Sequence, residues 1–446
     1  MEPARGYSYY ENLGFNKFES WEDADFSQFL VWDFLNSYKE TVFGKEIVES
    51  FTQSSKIFME HSRKYRVVSR LIDSVFLKFV LLFEDKGKRE ILFTSVNFFP
   101  VEKEIMKCYS VGFIVKGWRE QLFAISNFIS YINISSLSQH VFYYLRDGKT
   151  EHLRRLVEGI ENKLIIINPE YIILTSDQSP IDRVIILVCK KLGITTIEIK
   201  HGVDMAHFFN SDTAIGQVID GKVADYVMVW GKYFKDLYID SGIRKSEDIY
   251  ILGYPYPIKK NIKQNTVKGR DLKVCYLAHD YEKYDDKFLT IKLETVKKLF
   301  EICKKLGLAF ICRPHPGDNR CAFREVLPYI NLTSEKESLE ETFDKADIFI
   351  SFCSTSLVEA SIHSKIALQL MNYPIETDNF EKLGACNKSF KNIEDLGRYL
   401  EKVVGSNSLD EFKIKFNNDY IETRYNVSQR FLEIIKEIEK KKHDKS

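Results

Sequence analysis

From residue 89 onward, short apolar runs alternate with longer segments in which apolar residues recur every three or four positions. Short runs bounded by turn residues predict buried strands, and the longer segments predict amphipathic helices. In the first half of the chain the predicted strands are residues 89–99, 108–117, 170–177, 195–200, 226–231 and 248–253, and the predicted helices are residues 118–132, 149–164, 181–193 and 232–242. Strands joined by single helices pair in parallel through right-handed crossovers, so we expect a doubly wound α/β sheet.

A polar, basic segment with two prolines, residues 254–271, interrupts this pattern and is typical of a hinge linker. After it the alternation resumes, with predicted strands at 273–278, 308–312, 347–352 and 365–371 and predicted helices at 288–307, 323–330 and 355–364. We therefore predict an α/β protein of two Rossmann-like domains, residues 1–255 and 256–446, that face each other across a cleft. Residues 1–85 are predicted as a helical extension, and the last helix is a candidate to pack back on the first domain.

Composition narrows the class of protein. Lys plus Arg and Asp plus Glu both number 64, so the chain lacks the excess positive charge of a nucleic-acid-binding protein. The eight cysteines form no C-x-x-C pair, which indicates reduced thiols. The N-terminus does not read as a signal peptide, and no apolar run reaches the roughly 18 residues of a spanning helix. We expect a cytoplasmic protein, with peripheral contact to the membrane through the basic tail as an alternative.

Polar groups follow several of the predicted strands, at the edge of a parallel sheet where ligands bind. Five such loops stand out, namely "SDQSP", "KHGVD", "AHDYEKYDD", "RPHPGD" and "SFCSTSLVEA". We expect them to converge on the cleft between the two domains.

The loop "RPHPGD" presents Arg313 and His315 on rigid backbone, because each of its prolines disfavours helix for the residue before it. Arginine binds phosphate oxygens in a forked geometry, and histidine can donate to a further oxygen. The pair is a candidate to neutralise a phosphate leaving group. The alternative is a structural turn in which Arg313 pairs with a nearby carboxylate.

The loop "SFCSTSLVEA" supports two interpretations. Ser356 and Glu359 match the S-x-x-E capping box that satisfies free amides at a helix start. A hydroxyl-rich turn before a helix also makes an anion site, in which the hydroxyls of Ser354, Thr355 and Ser356 join the helix amides around a phosphate. Both interpretations can hold at once.

Candidates for a general base follow the strands of the first domain. Asp177 ends one predicted strand, while His201 and Asp204 follow another, where burial and neighbouring charges can adjust a pKa. Each of them has a structural alternative as a helix cap or a turn residue. His279 follows the first strand of the second domain and is a candidate to contact the donor phosphate or sugar, with a helix-capping role as the alternative. No Cys/His set has zinc spacing, so we predict a reaction without a metal or other cofactor.

Several of these motifs together resemble a GT-B glycosyltransferase of bacterial surface-polysaccharide synthesis, over about residues 165–375. His315-Pro316 and residues 354–356 are similar to the HP and Ser/Thr motifs of bacterial sialyltransferases and polysialyltransferases, which hold the phosphate of a CMP-sugar. Kdo transferases, teichoic-acid glycerophosphotransferases and hydrolysing UDP-N-acetylglucosamine 2-epimerases carry related patterns. Glu359 matches the position at which many GT-B enzymes hold the nucleotide ribose. The acidic pair followed by glycine that supplies the base in those sialyltransferases has no match here.

The resemblance implies a metal-independent, inverting glycosyltransferase. Its donor would be a CMP-linked acidic sugar such as sialic acid, another nonulosonate or Kdo, and its acceptor a capsule or lipopolysaccharide glycan or a glycolipid. Transfer from a UDP-sugar, transfer from a CDP-polyol, a UDP-sugar 2-epimerase or hydrolase, and a non-catalytic protein that binds nucleotide sugar or glycan remain alternatives. The expected partners are these small molecules and glycans, without nucleic acid.

Overall fold

The computed structural model divides the chain into two compact units. Unit 1 comprises Met1–His201, Phe208–Tyr256 and Arg424–Ser446, and unit 2 comprises Gly202–His207 and Pro257–Thr423. Within these units the residues that the structure describes are 89–95, 105–115, 131–133, 150–175, 180–203, 224–256, 258, 272–279, 286–315, 318, 320, 323–324, 328–374, 377–406, 409–412, 414, 416–423 and 426–444.

The described part of unit 1 is built on a seven-stranded parallel sheet with the order β3-β2-β1-β4-β5-β6-β7. Its strands are β1 (Ile91–Phe93), β2 (Val111–Val115), β3 (Tyr131–Asn133), β4 (Tyr171–Leu174), β5 (Thr195–Ile199), β6 (Tyr226–Val229) and β7 (Ile249–Ile251). The central strands β4 and β5 are buried along their whole length. The apolar sequence of β4 predicts this for a sheet covered on both faces, whereas β5 also buries two threonines and Glu198.

Among the described residues, three helices connect strands of this sheet, namely α1 (Thr150–Ile167), α2 (Pro180–Leu192) and α3 (Lys232–Asp240). Helix α2 begins at a proline, whose missing N–H costs nothing in a first turn. Asp182 lies in that first turn, and Lys190 and Lys191 lie in the last, so the charges complement the helix dipole.

The described part of unit 2 contains a six-stranded parallel sheet with the order β10-β9-β8-β11-β12-β13. Its strands are β8 (Lys273–Leu277), β9 (Ala309–Arg313), β10 (Asn331–Leu332), β11 (Ile348–Ser351), β12 (Ile366–Leu370) and β13 (Lys388–Phe390), and its helices are α4 (Asp286–Leu306), α5 (Leu339–Lys345), α6 (Thr355–Ile362) and α7 (Ile393–Gly405). When the strands of each sheet are numbered in chain order, both sheets contain the order 3-2-1-4-5-6 of a Rossmann fold. The predicted α/β fold with two Rossmann-like units is confirmed.

The last helix, α8 (Val427–His443), belongs to unit 1. Its inner face contributes Phe431, Ile434, Ile435 and Ile438 to the same core as β1, β2 and β4, and all four are fully buried. The Arg430 Nε donates to the carbonyl of Ile251 on the edge strand β7 (3.2 Å). Helix α8 therefore contributes to the hydrophobic core of unit 1.

Two predicted helices are wrong at their ends. Residues 118–132 were predicted as one helix, but Tyr131–Asn133 form β3. The helix predicted at 323–330 is not helical at 328–330, which form a turn that leads into β10. Among the described residues, no helix combines the length and the apolarity that crossing a membrane requires.

Candidate functional site

The carboxyl edge of the second sheet brings together the polar loops of unit 2. In the strand order β10-β9-β8-β11-β12-β13 the direction of chain progression reverses between β8 and β11, and ligands of such sheets bind at that point. The buried Ser351 hydroxyl joins the two strands, because it donates to the Leu277 carbonyl (2.8 Å). His279 follows β8 and Ser354 follows β11, so two of the predicted residues lie at this position.

The two histidines of unit 2 occupy equivalent positions on neighbouring strands. Leu277 of β8 is in register with Arg313 of β9, and the Ala278 amide donates to the Arg313 carbonyl (2.9 Å). His279 and His315 each follow the paired residues by two positions. The parallel register thus places these two predicted residues at adjacent strand ends.

His279 and His315 differ in exposure. The His279 ring is 6% exposed and packs against the rings of Phe352 (centroids 5.6 Å apart) and Tyr373 (4.5 Å). His315 is exposed, and its backbone amide donates to Asp318 Oδ2 (2.7 Å). The imidazole of His315 is therefore the more accessible of the two for an incoming anion.

Asp318 in turn pairs with Lys292, which projects from α4. Their side chains are fully buried, with 2.6 Å between Lys292 Nζ and Asp318 Oδ1. The same ammonium donates to the His279 carbonyl (2.8 Å) and lies 5.4 Å from the centroid of the Phe323 ring. These contacts connect the loop after β8 with the loop after β9.

Arg313 contacts protein acceptors at the end of β9. Its guanidinium donates to the carbonyls of Ser338 (3.2 Å) and Glu337 (3.0 Å) and to Thr342 Oγ1 (2.6 Å). The structure thus assigns Arg313 to holding the segment before α5 against the strand end. The structural alternative paired Arg313 with a carboxylate, but the observed acceptors are two carbonyls and a hydroxyl. The predicted contact of Arg313 with a phosphate stays a prediction.

The helix cap expected at Ser356 lies two residues earlier. Ser354 has extended backbone (φ −135°, ψ 136°), caps α6 and accepts from the Ser356 amide (3.2 Å). Ser356 is then inside the first turn, so the capping box that pairs it with Glu359 is wrong. Glu359 lies in the second turn and is buried, at 9% exposure.

Thr355 contacts the loop that begins at Gly202, within the same unit. Its Oγ1 accepts from the Val203 amide (3.2 Å), and a Cβ added at Gly202 would lie 3.0 Å from that oxygen. The absence of a side chain at position 202 allows this close approach. The "HGV" motif therefore supplies a structural contact to the first residue of α6.

In unit 1, the end of β5 positions His201. Its Nδ1 lies 2.8 Å from the Thr175 carbonyl, which can only accept, so Nδ1 is the donor of this bond, and in the neutral imidazole the lone pair is then on Nε2. The ring is exposed, an arrangement that suits a general base. The rival candidates Asp177 and Asp204 lie outside the described residues.

Two cysteines, Cys275 and Cys312, lie on the strands that carry these loops, and both are buried. Burial raises the pKa of the Cys275 thiol on β8 to about 12 and that of Cys312 on β9 well above its ordinary value, so both are neutral near pH 7. Neither thiol is a candidate nucleophile. In the part of the chain that the structure describes, no group of three or more His, Cys, Asp and Glu side chains forms a metal site.

Lys292 and the role of Asp318 were not predicted from the sequence. Lys292 lies on the apolar stripe of α4, between Phe288 and Leu299, where a lysine breaks the amphipathic pattern. A charged residue on a buried stripe needs a buried partner. That signal was present in the sequence, whereas the identity of the partner required the register of β8 and β9.

Comparison with known proteins identifies the fold class. No family model and no curated protein sequence matches the chain. Among solved structures, the chain resembles S. aureus MnaA in a co-structure with UDP (TM-score 0.55, 13% identity, covering 78% of this chain and 95% of that chain). It also resembles the UDP-GlcNAc 2-epimerase from Neisseria meningitidis bound to UDP-GlcNAc (TM-score 0.55, 14% identity, covering 78% of this chain and 99% of that chain). A third similar structure is the UDP-GlcNAc 2-epimerase from Methanocaldococcus jannaschii (TM-score 0.52, 18% identity, covering 78% of this chain and 98% of that chain). The two Rossmann-like units therefore have the GT-B fold.

Proposed function

We propose that the protein is a glycosyltransferase that binds a pyrimidine-nucleotide sugar at the carboxyl edge of the second sheet and transfers the sugar to a glycan acceptor. The observation that carries the proposal is the placement of His315, His279 and the hydroxyl-rich start of α6 around the strand-order reversal between β8 and β11. Nucleotides bind at this position in doubly wound sheets.

The proposed chemistry follows from the site residues. The His315 imidazole and the amides and hydroxyls at the start of α6 would stabilise negative charge on the departing nucleotide phosphate, which is the largest contribution in many enzymes. In unit 1, Nε2 of His201, or the carboxylate of Asp177, would take the proton of the acceptor hydroxyl. No residue of this mechanism requires a metal ion, so we propose a metal-independent reaction.

Two observations bear on the identity of the nucleotide, and they favour different nucleotides. The HP and Ser/Thr motifs favour a CMP-linked acidic sugar, whereas the solved structures of similar fold favour UDP, since one contains UDP and another UDP-GlcNAc. The same structures support a second candidate function, epimerisation or hydrolysis of a UDP-sugar without an acceptor. Both functions use one nucleotide site in unit 2.

Thermal unfolding with CMP, CDP, UMP, UDP or GDP, with EDTA present, tests the proposal. A ligand at 100 times its Kd stabilises by about 2.7 kcal/mol, which corresponds to about 5–10 °C in a unit of this size. We expect CMP or UDP to give such a shift, and the shift to be lost in His315→Ala. The matched control is His443→Ala, at an exposed position in the last turn of α8, which should retain it. No shift with any nucleotide would refute the proposal.

Donor turnover then separates the two candidate functions. Release of nucleotide from the donor only when an acceptor glycan is added supports the transferase, and His315→Ala should slow it about 100-fold. Turnover of a UDP-sugar without an acceptor would instead support the epimerase or hydrolase. A nucleotide shift that disappears with EDTA and returns with Mg²⁺ would contradict the metal-independent mechanism.

A further inference from the structure

A fully buried ion pair spans the two loops that carry the histidines of unit 2. Lys292 Nζ lies 2.6 Å from Asp318 Oδ1, and neither side chain is exposed to solvent. Since no solvent reaches the pair, it cannot contact a ligand itself. Its chemical effect must therefore pass through the groups to which it is bonded.

Stability alone is a weak explanation for such a pair. Taking two charges out of water is expensive, and well-packed apolar residues of similar size often stabilise a core as well or better. Position 292 lies on the apolar stripe of α4, where an apolar residue would suit the surrounding core. What the pair adds is directional bonding to defined atoms of the neighbouring loops.

Three polar bonds run through the pair from one loop to the other. Lys292 Nζ donates to the carbonyl of His279 (2.8 Å) and to Asp318 Oδ1, while Asp318 Oδ2 accepts from the amide of His315 (2.7 Å). The Asp318 amide also donates back to the His315 carbonyl (2.9 Å), so the turn is closed from both sides. The backbones at His279 and His315 are thereby fixed relative to each other.

We propose that Lys292 and Asp318 are positioning residues that hold the His279 and His315 loops in the geometry that receives the phosphate of the nucleotide. The statement that a phosphate binds here rests on the proposed function. The statement that the two loops are held in place rests on the three hydrogen bonds. A rigid, bonded turn presents the exposed His315 ring without an ordering cost at the moment of binding.

The experiment compares Asp318→Asn and Lys292→Met with Leu299→Ala in the full chain. Lys292 and the His315 amide donate to different oxygens of Asp318, and asparagine has an NH₂ group in place of one of them, so in the same geometry Asp318→Asn loses one of the two bonds. Leu299 lies on the same helix, is fully buried and contacts no site loop through a polar bond, so Leu299→Ala is the control for lost stability. The probes are affinity for CMP and UDP, and amide exchange at His315 after ¹⁵N-histidine labelling of the nine histidines.

We expect both charge variants to bind nucleotide about tenfold more weakly, as for loss of one oriented hydrogen bond, and to exchange the His315 amide faster. Leu299→Ala should change neither property, even where it lowers thermal stability as much. If Lys292→Met does not fold, the isosteric Asp318→Asn decides the question.

Two results would overturn the inference. One is unchanged exchange at His315 in the charge variants. The other is an affinity loss in Leu299→Ala that matches theirs, because the pair would then contribute only stability. If the wild type binds no nucleotide, the proposed function fails, and the His315 exchange still decides whether the pair fixes the loop.

Discussion

A methyl group added at Gly202 would test the contact between the "HGV" loop and α6. The Cβ of an alanine there would lie 3.0 Å from Thr355 Oγ1, closer than side chains normally approach. The Thr355 hydroxyl would have to turn, at about 0.5–1.5 kcal/mol for an off-rotamer side chain. Its bond from the Val203 amide (3.2 Å) would weaken, at a further 0.5–1.5 kcal/mol or so.

The loss of glycine has an opposing effect. Alanine restricts the unfolded chain and thereby stabilises the folded one by about 0.4–1 kcal/mol. The two costs sum to about 1–3 kcal/mol, so the net cost of Gly202→Ala is about 0–2.6 kcal/mol, or about 1.3 kcal/mol at the middle of these ranges. In a Thr355→Ala background the clash is absent, so the same change should be neutral or stabilise by up to about 1 kcal/mol.

The assay is a double-mutant cycle on the stability of unit 2. Because two units need not unfold together, stability is followed by hydrogen exchange of the β11 and β12 amides rather than by one global transition. Gly405→Ala is the control, since its Cβ would meet nothing within 4 Å, and we expect it to stabilise. Equal costs of Gly202→Ala in both backgrounds would refute the contact.

Three further predictions concern unit 2 and the thiols. Asn392→Ala should destabilise α7 by about 1 kcal/mol, measured by hydrogen exchange in that helix, because the Asn392 side chain caps it; equal protection would contradict the cap. Gly384→Ala should destabilise unit 2 by more than that, measured by thermal unfolding, because φ is +67° and a Cβ would lie 2.8 Å from the Asn417 Cβ; an unchanged midpoint would contradict this close approach. At pH 8, iodoacetamide should modify the exposed Cys108 in the folded protein and spare the buried Cys303. Burial raises the pKa of Cys303 to about 12, so its thiol stays protonated until far higher pH. Peptide mass spectrometry that finds both cysteines modified would contradict the burial.

The central strands of both sheets could be predicted from sequence, whereas most of the edge strands could not. A strand between two others is buried on both faces and reads as a continuous apolar run, as in β4 and β11. All four edge strands of the described sheets have only two or three residues; β7, which was predicted, is apolar and mostly buried, whereas β10 and β13 are partly exposed. Such short segments carry no periodicity that distinguishes them from the end of a helix, which is why β3 was assigned to one.

The positions of the candidate site residues were predictable where they depend on strand ends and unpredictable where they depend on register or on exact caps. The rule that parallel strands end at one edge was sufficient to select His279 and His315. The motif at the start of α6 was ambiguous, because serines at 354 and 356 can each serve as a cap and only the backbone conformation distinguishes them. Lys292 was missed because its partner lies 26 residues further along the chain, beyond β9.

These observations suggest a division of labour in unit 2 between groups that could contact a nucleotide and groups that fix them. His315 and the hydroxyls at the start of α6 are partly or fully exposed, whereas Lys292, the Asp318 side chain and Ser351 are buried and bond to backbone atoms at the strand ends. A site with this construction should lose ligand affinity through two separable routes, loss of a contact or loss of its position. His315→Ala removes the contact itself. Asp318→Asn leaves the imidazole intact but should change amide exchange at residue 315, so the two variants address the two routes separately.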